Sequence, residues 1–418
     1  MKKIVVKGGK KLSGTIEVAG AKNSAVALIP AAILSDGVVE IDNVPAISDI
    51  DALDDILTFL GASVDRVDSS IKIDTSNVVN KEIPENISNK LRASYYFMSA
   101  LLGKYKHVEM YFPGGCSIGA RPIDQTLKAF RLLGATVVEE GNKFTIDADE
   151  LVGNTVYLDM PSVGATINTM FAAVRANGVT VIRNAAKEPE IVNVATFLNN
   201  MGARIIGAGT SKIRIVGVDS LKGGFTEVIP DRIEAGTYII AGALVGDNLT
   251  IDNIIPEHVE SLLFKFNEMG VKYELNDNSI TLSSSSNLKP TRVKTLGYPG
   301  FPTDLQQPLT VLLCMCNGVS KLEETIYENR FNNVSYLNNM GANINIVNNQ
   351  KIEINGPTNF LGCDVVATDL RAGACMVLAG LVADGKTVIS DVEHILRGYE
   401  DIIGKLSRVG ADIKLIEE

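Results

Sequence analysis

The sequence predicts an α/β fold made of six related supersecondary units, and three observations lead there. A helix-like stretch ending in an apolar residue, a glycine and a small residue, then turning into a strand, recurs along the whole chain. It is found at Leu60-Gly61-Ala62, Leu133-Gly134-Ala135, Met201-Gly202-Ala203, Met269-Gly270-Val271, Met340-Gly341-Ala342 and Val409-Gly410-Ala411. A second series, each member just ahead of a strand such as Val179-Thr180-Val181-Ile182, falls at Gly37, Gly103, Gly178, Gly246, Gly318 and Gly385. The steps within the first series are 73, 68, 68, 71 and 69 residues, so six copies fill the 418 residues. Each copy is longer than a usual solenoid repeat of roughly 20–50 residues and has room for two helices and several short strands. Both series are expected to be left-handed residues that end helices.

Within each copy the first helix begins 11 to 15 residues before the second-series glycine, at a turn of polar, charged or small residues. In chain order these turns are Ala21-Lys22-Asn23-Ser24, Leu91-Arg92-Ala93-Ser94, Ser162-Val163-Gly164-Ala165, Arg232-Ile233-Glu234-Ala235, Pro302-Thr303-Asp304 and Leu370-Arg371-Ala372. The stretches that follow are apolar on most faces, which predicts buried helices with only their first turns at solvent. A helix N-terminus carries exposed N–H groups and about half a positive charge, so six such turns are candidate anion sites. Ser24, Ser94, Ser162 and Thr303 suit capping. Lys22, Arg92 and Arg371 oppose the dipole, and a bound anion would resolve that conflict. Arg232 with Glu234 reads as a structural pair, and Asp304 as a cap.

The second copy alone is lengthened. From the second-series glycine to the next first-series glycine the other copies span 23 to 25 residues, whereas Gly103 to Gly134 spans 31. The surplus coincides with a Gly- and Pro-rich stretch from Tyr111 to Asp124. Loops of this kind add little core and often supply lids or ligand contacts. Cys116 lies in it among glycines, five residues from Arg121, a setting that lowers a thiol pKa. Arg121 suits a phosphate or carboxylate, or else a turn cap with Asp124.

Composition narrows the partners. Lys and Arg number 39 against 49 Asp and Glu, for a net charge of −10, and no basic cluster of five or more occurs. Nucleic-acid and anionic-membrane partners are therefore excluded, while a local basic site for a small anion is not. No apolar run approaches the roughly 18 residues of a membrane span, and the beginning, MKKIVVKGGK, reads as a charged strand rather than a signal peptide. A soluble cytoplasmic protein is expected. The five cysteines read as reduced thiols, with Cys314 and Cys316 in an apolar run. His107, His258 and His394 are scattered, so no metal is expected. Length alone suggests two or three domains.

Taken in order, Lys22-Asn23, the loop Pro113-Gly-Gly-Cys-Ser-Ile-Gly-Ala-Arg-Pro-Ile-Asp124, Ser162-Val-Gly-Ala-Thr166 and Glu188-Pro-Glu190 form a recognisable set. It continues through Pro230-Asp-Arg-Ile-Glu234, Phe301-Pro-Thr-Asp304, Glu328-Asn-Arg330, Ala367-Thr-Asp-Leu-Arg371 and His394-Ile-Leu-Arg-Gly-Tyr399. Together these resemble the UDP-N-acetylglucosamine 1-carboxyvinyltransferases of the enolpyruvyl transferase family, from end to end. The resemblance implies a two-domain inside-out α/β barrel of six βαβαββ repeats, three per domain, with the active site in the interdomain cleft. Residues 22–229 would form the first domain, and 1–21 with 230–418 the second.

The reaction implied is transfer of the enolpyruvyl group of phosphoenolpyruvate to the 3′-hydroxyl of UDP-N-acetylglucosamine with release of phosphate, the committed step of peptidoglycan synthesis, by addition and elimination without a cofactor. On the same resemblance Cys116 donates a proton, forms a covalent adduct with phosphoenolpyruvate and is the thiol labelled by fosfomycin. Lys22, Arg121 and Arg397 hold the phosphoenolpyruvate anions, assisted by Arg92 and Arg371. Asp304 accepts the sugar hydroxyl proton and Asn23 orients the sugar. Arg121, Pro122, Ile123, Asp124, Gln125, Ser162, Val163, Gly164 and Ile326 contact the nucleotide sugar, and Asp369 with Arg371 bridges the closed lid.

Met160 and Thr126 depart from the family pattern, where lysine and histidine are common, on the nucleotide side. A monomer is expected. The competing readings are the shikimate-pathway enolpyruvyl transferase, whose pattern lacks the Gly-Gly-Cys loop, and a catalytically silent nucleotide-sugar-binding homologue.

Overall fold

The computed structural model describes residues 2–111 and 123–417. Cys116, Arg121 and Pro122 lie outside the described residues. The fold is mixed α/β and separates into two compact units. One runs from Gly20 to Ile229, and the other joins the residues up to Ala19 with those from Pro230 onward.

Among the described residues, five four-stranded sheets share one strand order and a three-stranded sheet follows it in part. In the Gly20–Ile229 unit, Phe225–Glu227 pairs parallel with Val39–Asp42, which pairs antiparallel with Ser70–Asp74 and then Ser63–Val67. Thr155–Tyr157, Val179–Arg183, Lys212–Val216 and Arg204–Ile206 repeat that order. The third sheet, His107–Tyr111, Lys143–Asp147 and Thr136–Glu140, has among the described residues a parallel bridge, Ile83 to Met110, where the others have a fourth strand. In the other unit the parallel edge strands are Leu12–Glu17, Arg292–Lys294 and Asp364–Val366. Segments remote in sequence close each unit. Ile16 pairs with Ile251, Val5 with Val388, and Thr226 with Ile41.

Inside each unit lie three inner helices. They are Lys22–Ala31, Tyr96–Tyr105 and Val163–Ala173 in one, and Arg232–Val245, Gln306–Cys314 and Leu370–Val382 in the other. Helices apolar on most faces lose water on every side, and beyond their first turns these are almost wholly buried. The six predicted turns all lead into these helices, two of them through short 3₁₀ turns at Arg92–Tyr95 and Thr303–Leu305.

Every first-series glycine has positive φ, between 82° and 107°, as predicted. The second series divides. Gly178, Gly318 and Gly385 have positive φ, whereas Gly37, Gly103 and Gly246 do not. At those three a Cβ would meet backbone within 2.7 Å, so close approach rather than handedness requires glycine. The left-handed cap after Tyr96–Tyr105 falls on Lys106 instead.

Candidate functional site

In the Gly20–Ile229 unit, Lys22 is the first residue of its inner helix. Its Nζ lies 2.6 Å from Oδ2 of Asp49, which sits in the first turn of the outer helix Ser48–Leu60. Lys22 keeps 13% of its side-chain surface and Asp49 only 5%. Asn23 follows, half-buried. Ser24 does not cap: its hydroxyl donates to Asn193 Oδ1 at 2.5 Å, and Asn193 in turn donates to Glu227 O and accepts from Ile229 N. The start of the inner helix is thereby tied to the strand that leads out of the unit.

Arg92 opens its 3₁₀ turn half-buried, and Ser94 donates to Ser88 O rather than capping. Ser162 alone among the four candidate caps performs that role, accepting from Ala165 N at 3.2 Å. Its neighbour Gly164 is required by packing, since a Cβ there would stand 1.6 Å from the Tyr95 hydroxyl. Tyr95 stacks on Tyr96 at 4.7 Å. Val163 is half-buried beside Gly164. Ile123 is buried and Asp124 exposed at the start of the helix Asp124–Leu132. Gln125 donates to Asp124 and Asp159 and accepts from Asp159 N. Hydrogen bonds from Lys128 and Gln125 hold the Asp159 carboxyl below the usual range. The family-departing positions differ here: Met160 is exposed and Thr126 buried.

In the other unit the centre is Asp304. Arg330 Nη2 donates to its Oδ1 at 2.8 Å, and Arg371 Nη2 and Nε donate to its Oδ2 at 3.1 and 3.3 Å. Both arginines are buried, at 2% and 3% side-chain exposure, while Asp304 keeps 25%. Burial works against each guanidinium charge. The partners outweigh it, chiefly the Asp304 carboxylate for Arg330 and the Tyr399 hydroxyl with Asp304 for Arg371, so both pKa values lie above the ordinary arginine range. Three N–H donors thus hold the two carboxylate oxygens, one from Arg330 on Oδ1 and two from Arg371 converging on Oδ2.

Asp369 caps its inner helix, accepting from Arg371 N and Ala372 N, both at 2.9 Å. Ile326 is exposed in the turn after Gly318–Glu323, and Arg397 is half-buried after the short helix Glu393–Leu396.

Three sequence expectations change. The dipole conflict attributed to Lys22 and Arg371 is met by protein carboxylates, Asp49 and Asp304, so that conflict does not itself call for a bound anion. Glu234 pairs with Lys405 at 2.8 Å rather than with Arg232, which lies over the Tyr298 ring. Asp304 accepts a clamp instead of capping; Asp231, Asp369 and Ser162 are the caps. Sequence reasoning gave no role to Arg330 or Asp49. The Glu328-Asn-Arg330 motif was the signal for one, and a buried Asp beginning an outer helix carries no sequence signal of its own.

Burial raises the thiols of Cys314, Cys316, Cys363 and Cys375, to about 11 for Cys316 and about 12 for Cys375. A reactive thiolate is therefore not to be found among these four.

Comparison with known proteins defines the class. A family model described as EPSP synthase (3-phosphoshikimate 1-carboxyvinyltransferase) matches residues 6–406. The structure of the enolpyruvyl transferase NikO from Streptomyces tendae superposes with a TM-score of 0.90 at 25% identity, covering 99% of this chain and 98% of that one. An EPSP synthase from Acinetobacter baumannii shares the fold, with a TM-score of 0.76 at 18% identity over the full length of both chains. The chain thus belongs to the EPSP synthase family of carboxyvinyl transferases. Within that family, two curated relatives share a name. UDP-N-acetylglucosamine 1-carboxyvinyltransferase 2 of Streptococcus mutans is 53% identical over 100% of both chains. The Lactococcus lactis protein of the same name is 51% identical over 100% of both.

Proposed function

We propose that this transferase moves the enolpyruvyl group of phosphoenolpyruvate to the 3′-hydroxyl of UDP-N-acetylglucosamine, releasing phosphate, as the committed step of peptidoglycan synthesis. The observation that carries the proposal is end-to-end identity above 50% to proteins named for that activity. Shikimate 3-phosphate is the less favoured acceptor, because the EPSP synthase structure shares only 18% identity. The shared strand order of the sheets supports a finer architecture as well, six repeats arranged as two three-repeat inside-out barrels.

In the addition step the acceptor oxygen bonds to C2 of phosphoenolpyruvate, its proton goes to a base, and C3 takes a proton to become a methyl group. In the elimination step C3 loses a proton and phosphate leaves C2. The first step needs an acceptor-side base, and Asp304 is the half of its cluster that reaches solvent. The buried arginines hold it oriented, so its task is to direct the hydroxyl and take its proton as the C–O bond forms. In this reading Arg371 acts through Asp304 rather than on phosphoenolpyruvate directly.

Lys22, Arg92, Arg121 and Arg397 bind the phosphate and carboxylate, Asn23 orients the sugar, and Cys116 protonates C3. Ile123 to Gln125, Ser162 to Gly164 and Ile326 bind the nucleotide sugar, and Asp369 holds the helix that presents Arg371. The test is phosphate release from phosphoenolpyruvate with UDP-N-acetylglucosamine, with shikimate 3-phosphate and with neither. Release with the nucleotide sugar alone is expected; release with shikimate 3-phosphate, or with no acceptor, contradicts the proposal. Labelling by fosfomycin at Cys116, enhanced by the nucleotide sugar, separates an intact site from a silent binding homologue.

A further inference from the structure

Next to the Asp304 clamp lies a second carboxylate, this one buried, that the mechanism above does not use. Glu324 has no exposed surface. Its Oε1 accepts the Thr295 hydroxyl at 2.9 Å and the backbone N–H groups of Ile326 and Tyr327 at 2.8 and 3.2 Å. Its Oε2 accepts the Thr303 hydroxyl at 2.8 Å. A threonine hydroxyl has one proton. With that proton given to Glu324, only lone pairs face Arg330, whose Nη1 donates to Thr303 Oγ1 at 2.7 Å. The same guanidinium places Nη2 on Asp304. Planarity then makes the two contacts interdependent, since the guanidinium cannot turn toward one without leaving the other.

We propose that Glu324 is a positioning residue for the transfer reaction. Through Thr303 and Arg330 it sets the plane of the Asp304 carboxylate, and through two backbone N–H groups it fixes the turn that presents Ile326. This rests on the reading of Asp304 as the acceptor-side base. A carboxylate is needed because all four of its contacts are donors. In Glu324→Gln the amide oxygen goes to the Oε1 position, where three donors meet, so the amide NH₂ faces Thr303. The Thr303 proton then has no acceptor and turns toward the Arg330 donor, which loosens the clamp while the Ile326 turn keeps its oxygen.

The experiment compares kcat and the KM for UDP-N-acetylglucosamine in Glu324→Gln, Thr303→Val, Thr303→Ser and Asp304→Asn. A misplaced reacting group costs roughly 10- to 100-fold. Glu324→Gln and Thr303→Val are expected to lose kcat in that range with KM changed less than about threefold, whereas Thr303→Ser, which keeps the hydroxyl, stays within about twofold of the parent. The double variant Glu324→Gln with Thr303→Val should fall no further than either single one. Full kcat in Glu324→Gln, or a Thr303→Ser as impaired as Thr303→Val, overturns the proposal while leaving Asp304 untouched if Asp304→Asn is inactive. An active Asp304→Asn overturns the base reading itself.

Discussion

The two units hold their charged residues in opposite ways. At the start of Lys22–Ala31 the cation is the accessible member of its pair, with Lys22 13% exposed over an Asp49 at 5%. At the Thr303–Leu305 turn the anion is the accessible member, with Asp304 25% exposed over Arg330 and Arg371 at 2% and 3%. A buried partner fixes geometry and ionisation, while the accessible partner is the one a substrate can reach. One unit thus holds an accessible cation and the other an accessible anion.

The largest expected effect comes from Asp304→Asn, which keeps shape and removes the proposed base. A loss of roughly 10²- to 10⁴-fold in kcat is expected, and calorimetry should show destabilisation as well, because two buried guanidiniums lose their counter-charge. Next is Lys22→Met, expected to lower kcat/KM for phosphoenolpyruvate by roughly 10²- to 10³-fold, the scale of one lost electrostatic donor. Asp49→Asn leaves the Lys22 charge and removes its anchor; about tenfold in the same parameter is expected. If Asp49→Asn were as damaging as Lys22→Met, the division between accessible and buried partners would fail.

The smallest effect on turnover is expected where neither partner is accessible. Glu234 and Lys405 are 4% and 8% exposed and form an ion pair at the start of Arg232–Val245. Burial pushes the Glu234 carboxyl up to about 7, against the pull of Lys405. A folded-state pKa above the unfolded one means the folded protein binds the extra proton. This contribution to stability is complete below about pH 4.5 and is lost as the pH rises through 7. Glu234→Gln should therefore flatten the decline of unfolding free energy between pH 5 and 7, with kcat within about twofold. A steeper decline, or a large loss of turnover, would contradict the assignment.

Much of this was legible in the sequence. The first glycine series and the six inner-helix starts follow from local rules, because a left-handed cap and an apolar stretch carry their own signals. The second series did so only in part, since Gly37 and Gly103 answer to backbone neighbours far away in the chain, and Gly246 to both Gly242 O and the distant Leu282 O. Pairings across long separations were not legible either. Lys22 with Asp49, Asp304 with Arg371 and Glu234 with Lys405 are set by tertiary packing, and a cation at a helix N-terminus looks the same whether its anion is a ligand or a buried aspartate.

One measurement tests the central claim most directly: mass analysis of the acceptor after incubation with phosphoenolpyruvate, alongside the phosphate released. The account predicts UDP-N-acetylglucosamine heavier by one enolpyruvyl group, with one phosphate released per acceptor converted. Phosphate released while the nucleotide sugar keeps its original mass would contradict it.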